Sequence, residues 1–261
     1  MLAWPAVPEL TLALIYHDVV ARHERDTAGF PGPVAGVYKL EPDRFSAHLD
    51  ALAATEVEIG LYGDGSRTML TFDDGGASAL WVAGELERHG WRGVFFVVTG
   101  RLGTPGFIDA DGVRELRSRG HEVGSHSNTH PAYMARMEPD KLADEWVRSR
   151  ERLAEILGSP PRGAAVPGGS VSEHVVEQAV RAGYEQIYTS TPRARVRRVG
   201  ASTVIGRYTI WAADPPQLAA AFARGARLPR ARRLVAWELK SAAKRISPRV
   251  YEAARAARAR R

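Results

Sequence analysis

The sequence predicts an α/β fold, because strand-like apolar runs alternate with helix-like amphipathic stretches, one strand is apolar on both faces, and polar residues gather where strands end. Residues 11–19 (TLALIYHDV) read as a strand, followed by a helix at 41–54 with Phe45, Leu49 and Leu52 on one face. TMLTFDD (68–74) is a strand leading into a helix at 77–90, which stops at Gly90 as helices commonly do. GVFFVVTG (93–100) is apolar on both sides and therefore internal to a parallel sheet. A helix at 109–120, a strand at 121–126, a helix at 138–158, a strand at 163–169, a helix at 172–184 and a strand at 185–190 complete the alternation. Such a series implies a wound parallel sheet or a barrel, with catalytic groups at the carboxyl ends of the strands. After about residue 190 the pattern changes to an Arg-rich loop, a short strand VIGRYTIW (204–211) and basic helices, forming a terminal lobe of the same domain or an appendage.

The 261 residues suffice for one sizeable core, so one catalytic domain is the simplest count. With 44% hydrophobic and 25% charged residues, the composition is that of a globular protein, and no apolar run reaches membrane-spanning length. The first twenty residues lack a basic region and carry Pro5, Pro8 and Glu9 where a leader would be continuously apolar, so a cytoplasmic protein is expected. Cysteine is absent, which excludes disulfides and thiolate ligands: any metal must use nitrogen and oxygen. The net charge of +6 is regional. Residues 222–261 hold 13 Lys and Arg against Glu238 and Glu252, so this segment is +11 and the remainder is 5 negative. No helix-turn-helix, zinc-finger or RNP pattern accompanies it, which argues against a nucleic-acid partner. The expected organisation is a catalytic domain over 1–221 and a basic helical segment over 222–261.

Two adjacent carboxylates, Asp73 and Asp74, end a strand that belongs in a core. They repel and lose hydration there unless something cationic neutralises them, although Asp before Gly also makes ordinary turns and helix caps. GSHSNTHP sets His126 and His130 four apart after the next strand but one; if the turn is helical, both imidazoles reach the same side. Two His and one Asp form a set that binds a divalent ion and leaves positions open for water and substrate. Each motif alone is weak, and together they point to a metal centre.

The pairing of TFDDG with SHSNTHP some fifty residues later resembles the first two motifs of the polysaccharide deacetylase family, the NodB homology domain or carbohydrate esterase family 4. YHDV, FSAHLDAL, LRSRGHEVGSH, LGSPPRGAAVPGG and AGYEQIYTS extend the similarity over roughly residues 11–190, in the rhythm of members associated with exopolysaccharide synthesis. The resemblance implies a distorted (β/α) barrel, Asp73 as general base, and Asp74, His126 and His130 as ligands of a divalent ion, with zinc expected. Three features depart from the family pattern. AVPGG has Ala165 and Gly168 in place of the Arg and aromatic of the third motif, so Asp73 must be oriented by another residue; Arg162, three positions upstream of Ala165, points to the other face of its strand. The fourth motif has no counterpart, and no histidine follows residue 190 to serve as the fifth motif's acid.

Amide hydrolysis needs that acid, and His17, which ends the first strand, is the candidate, with hydrogen bonding in the barrel rim as its alternative role. His121, His89 and His174 sit at positions expected for core or surface filler, Trp81 and Trp146 for packing, and Tyr133 for a sugar site or a rim contact. The PGG turn could bring backbone N–H groups to an oxyanion. The expected activity is N-deacetylation of an acetylated glycan, the alternatives being O-acetyl ester or small cyclic amide hydrolysis on the same centre, or a non-catalytic carbohydrate-binding member. In the basic segment, Leu234, Trp237 and Ala242 among Lys and Arg suit either an anionic membrane surface or a helix packed on the barrel end.

Overall fold

A computed structural model describes residues 11–246. Its elements follow in chain order: β1 (Leu12–Tyr16), the single turn α1 (Pro33–Gly36), α2 (Pro42–Ala53), β2 (Thr68–Phe72), α3 (Ala79–Arg88), β3 (Val94–Val97), α4 (Ala110–Ser118), β4 (Glu122–Ser125), α5 (Pro139–Leu157), β5 (Gly163–Ala165), α6 (Glu173–Arg181), β6 (Gln186–Thr189), β7 (Arg197–Val199), β8 (Ser202–Thr209), α7 (Pro216–Ala223) and α8 (Arg227–Ile246). The helices begin and end where side-chain chemistry dictates. Asp109 accepts from the Gly112 amide at 2.9 Å and Ser172 from the Val175 amide at 3.2 Å, capping α4 and α6. Pro42 and Pro139 occupy first turns, where a missing N–H costs nothing, and α5 stops at Gly158 with φ 73°.

Seven strands run parallel in the order β1-β2-β3-β4-β5-β6-β8, and β8 pairs back onto β1, so the sheet closes into a barrel. β8 serves two partners along its free edge. Ser202–Val204 pair antiparallel with β7, and Arg207–Thr209 pair with β1. Within the segment after residue 190, expected as a terminal lobe or an appendage, β8 supplies the closing stave of the barrel, and α7 runs across the expected 221/222 boundary.

Strand side chains alternate between two cores. Ala13, Met69, Val94, Phe96, Ala165, Tyr188 and Ile205 form one cluster, while Leu14, Leu70, Phe72, Phe95 and Tyr208 pack with helix residues such as Phe45, Val82, Leu116 and Phe222 in another. A third cluster lies beneath α5 and α6 around Trp146 and Tyr184. Trp146 is fully buried as expected, but Trp81 is 42% exposed, its ring centroid 6.2 Å from that of the core residue Phe45.

Candidate active site

On β2, Met69 and Thr71 share the face that Asp73 continues just past the strand end, and Asp73 is buried at the carboxyl end of the barrel. On β8, Ile205 and Arg207 share the corresponding face, and Arg207 is fully buried. The two meet as a bidentate pair, with Nη1 to Oδ1 at 2.6 Å and Nη2 to Oδ2 at 3.0 Å, while Nη1 also donates to Thr71 Oγ1 at 3.0 Å. The guanidinium also lies 5.1 Å from the Phe96 ring centroid. Burial alone would raise the Asp73 carboxyl, but the Arg207 charge, His126 and the Arg207 hydrogen bonds outweigh it and hold the group at about 2. Asp73 is therefore ionised and fixed in direction at neutral pH. Arg207 fills the orienting role that sequence reasoning left without a residue; the clue was a lone cation inside the apolar strand VIGRYTIW. Arg162 instead pairs with Glu185 at 2.8 Å on the surface.

Asp74 follows in left-handed backbone, with φ 78°. Its Oδ1 lies 3.5 Å from both His126 Nε2 and His130 Nε2, and one ligand atom from each of the three residues falls within 4.8 Å of the others. His126 Nδ1 donates to the Ala165 carbonyl at 3.0 Å, which leaves Nε2 with its lone pair toward Asp74. Burial pushes the His126 imidazole down to about 3, so the ring is neutral, the form that ligates. Burial, with Asp73 and Asp18 nearby, pushes Asp74 up to about 7, and its Oδ1 is buried without a hydrogen-bond partner among the described residues. An orphaned carboxylate oxygen facing two imidazoles, the buried His126 ring neutral, is a donor set that fits a divalent cation.

The helical coil expected to align the two histidines does not exist. Residues 126–130 form an irregular turn in which Ser127 (φ 64°) and His130 (φ 61°) adopt left-handed backbone, a conformation costing on the order of 1–3 kcal/mol each that must be enforced by surroundings. Glu145 on α5 supplies much of that enforcement by accepting from the Thr129 amide (2.8 Å) and hydroxyl (2.6 Å). Ser127 Oγ accepts from the His130 amide, and Ser125 Oγ bonds Ser149 and accepts from the Ser127 amide. From the other side, the buried Lys39 ammonium donates to the carbonyls of Arg25, Ala28 and Phe30, curling that loop so that the Phe30 ring sits 4.6 Å from His130. Neither Glu145 nor Lys39 carried a sequence signal, because both act on loops distant in the chain.

These groups open into a pocket of about 320 Å³. His17 lines it, its ring stacked 4.9 Å from Tyr38 and its Nδ1 buried without a hydrogen-bond partner among the described residues. Its neighbour Asp18 turns away. Asp18 accepts from Ser78 Oγ at 2.7 Å, and a Cβ on Gly76 would fall 2.1 Å from its carboxylate, so this residue ties loops together. Gly168 and Gly169 line the pocket at the PGG turn. His121 is core, bonded to Gly93 and Glu87; His89 stacks on Trp91; Tyr133 lies under Lys244, 4.7 Å from its ring centroid.

Residues 62–187 match the family model described as polysaccharide deacetylase. Over 115 residues (43% of this chain, 23% of the relative), the chain is 31% identical to the peptidoglycan-N-acetylglucosamine deacetylase PgdA of Listeria monocytogenes. It is 29% identical over 150 residues to a chitooligosaccharide deacetylase of Bradyrhizobium (55% of this chain, 66% of the relative), so it spans less than two thirds of either relative's length. The barrel superposes on the putative polysaccharide deacetylase BA0330 of Bacillus anthracis with a TM-score of 0.68, 18% identity, and coverage of 82% and 69% of the two chains. The motif pair, the family-model match over residues 62–187 and the closed parallel barrel agree in making this chain similar to the polysaccharide deacetylase family.

Proposed function

We propose that this chain is a metal-dependent hydrolase that removes N-acetyl groups from N-acetylated sugars of a polysaccharide, oligosaccharide or lipid-linked glycan. The observation that carries the reading is a buried carboxylate, Asp73, held by Arg207 with its Oδ2 3.8 Å from His126 Nε2, beside the Asp74, His126 and His130 set. Asp74 and the two histidines would hold the ion, with zinc matching their nitrogen and oxygen donors. When bound, such an ion polarises the acetyl carbonyl and acidifies water. Asp73 accepts the proton as the water oxygen bonds the carbonyl carbon, and Arg207 keeps the accepting oxygens in place. The C–N bond then breaks as the nitrogen takes a proton, for which the His17 imidazole is the donor, giving acetate and a free amine. O-acetyl ester and cyclic amide hydrolysis on the same centre, and a binding-only member, are the outcomes the assay separates.

The test is a deacetylation screen over acetylated sugars, oligosaccharides and lipid-linked sugars, reading amine and acetate together. Asp73→Asn is expected to keep the metal and lose turnover by about 10²–10⁴-fold. His17→Ala is expected to lower the rate of amide hydrolysis. Acetate without amine would identify an esterase, and turnover by Asp73→Asn equal to wild type would sink the assignment of the base.

We extend the proposal to a peripheral cytoplasmic enzyme that meets its glycan at an anionic membrane. No helix among the described residues is long and apolar enough to cross a membrane, but α8 exposes Leu228, Val235 and Leu239, spaced 7 and 4 apart on one face, with Arg232 beside them. Trp237, expected to share such a face, instead lines the pocket, and Leu234 is half-buried. The strongly basic run 247–261 lies outside the described residues. In vesicle sedimentation at low salt, serine at the three exposed positions is expected to weaken binding to anionic vesicles about tenfold or more; no wild-type binding, or none lost in the variant, removes the membrane from the proposal.

A further inference from the structure

The pocket is walled in part by α8, whose Arg233, Trp237, Lys240, Ser241 and Lys244 recur at helical spacing on the face opposite the exposed stripe. Most cations of this face are committed to anchoring the helix. Arg230 donates to Tyr208 Oη at 2.8 Å, and Arg233 pairs with Asp214 at 2.8 Å while lying 4.4 Å from the Trp211 ring centroid. Lys244 donates to the carbonyls of Ala132 (3.2 Å) and Gly168 (3.0 Å), stapling α8 to the loops that follow β4 and β5. Lys240 differs: it lines the pocket one turn before Lys244, is exposed, and has no hydrogen-bond or ion-pair partner among the described residues. Trp237, three residues earlier and half-buried, gives the same wall an aromatic ring.

The pocket's acids are already matched. Asp73 is neutralised by Arg207, and Asp74 faces the position proposed for a divalent ion. The charge left over on this wall is positive, that of Lys240, and a neutral sugar would not answer it. We infer that α8 is a substrate-recognition wall on which Trp237 stacks a sugar ring and Lys240 binds an anionic substituent, so the preferred substrate is an acetylated glycan bearing a carboxylate or phosphate close to the acetamido group. This rests on the deacetylase reading for its acetyl group, while the anion preference is a property of the wall.

The test uses the full chain and three oligosaccharides of N-acetylglucosamine: neutral, carrying a uronic carboxylate, and carrying a phosphate monoester. Both equilibrium binding and kcat/KM are measured, with Lys240→Gln and Lys240→Glu as variants. Wild type is expected to bind at least one anionic form about fivefold tighter than the neutral one, a preference that shrinks with added salt. Lys240→Gln should cut affinity for that form about fivefold more than for the neutral one, and Lys240→Glu should cut it further. The carboxylate and phosphate arms identify which anion is recognised. Equal affinity for all three glycans, or equal effects of Lys240→Glu on charged and neutral forms, overturns the inference. Because binding is read without turnover, a chain that binds the anionic glycan through Lys240 but releases no acetate overturns the deacetylase reading alone.

Discussion

Replacing Arg207 by Met is expected to reduce deacetylation by at least two orders of magnitude and to destabilise the fold by about 3–5 kcal/mol. The substitution removes one member of a buried ion pair and leaves the buried Asp73 carboxylate without its counter-charge. The pH dependence has a definite sign. Asp73 is held at about 2 in the folded chain, below its ordinary value, so the stability it contributes is full above about pH 4 and is lost as pH falls toward 2. Denaturant curves of wild type and Arg207→Met should therefore differ most above pH 4 and converge in acid. Asp73→Asn combined with Arg207→Met should recover part of the stability and none of the activity. An Arg207→Met chain that deacetylates at the wild-type rate would show that the pair is scaffold alone.

Replacing His126 by Ala is expected to abolish stoichiometric binding of a divalent ion, and turnover with it. His126 is the most enclosed of the three candidate ligands, and its tautomer is fixed through the Ala165 carbonyl, so no neighbour can take its place. Metal content after gel filtration is the direct measurement. A second readout needs no substrate. In the metal-free chain Asp74 is pushed up to about 7, so its ionisation lowers folded stability progressively as pH rises from about 4 to about 7. Added zinc at about 1,000 times its Kd should restore about 4 kcal/mol, less whatever binding the unfolded chain retains. Neither His126→Ala nor Asp74→Asn should show that gain, and Asp74→Asn should also lose the decline with pH. Zinc binding undiminished in both variants would remove the metal centre from this position.

Much of this architecture was legible in the chain because its information is local. The βα alternation, the doubly apolar strand 93–100, and helix boundaries set by Pro42, Pro139 and Gly158 all follow from neighbours within a few residues. The same holds for the two carboxylates at a strand end and the two histidines four apart, whose convergence with His17 follows once the strand ends share one mouth. The route to that convergence was misread, since it runs through left-handed backbone at Ser127 and His130, braced by Glu145, and not through a helical turn.

By itself, then, the sequence determined the strand and helix series, the candidate ligands and the family they resemble, because periodicity, capping and motif spacing act at short range. Only the tertiary structure decided which residue orients Asp73, that the stretch after residue 190 closes the barrel, and that α8 turns Trp237 and Lys240 into the pocket while exposing Leu239. Arg207 reaches Asp73 across 134 positions of sequence, and Lys244 reaches Ala132 across 112. Contacts at that separation exist only after β8 has paired with β1 and β6, since it is closure of the sheet that sets the register and thereby decides which face of each strand points inward.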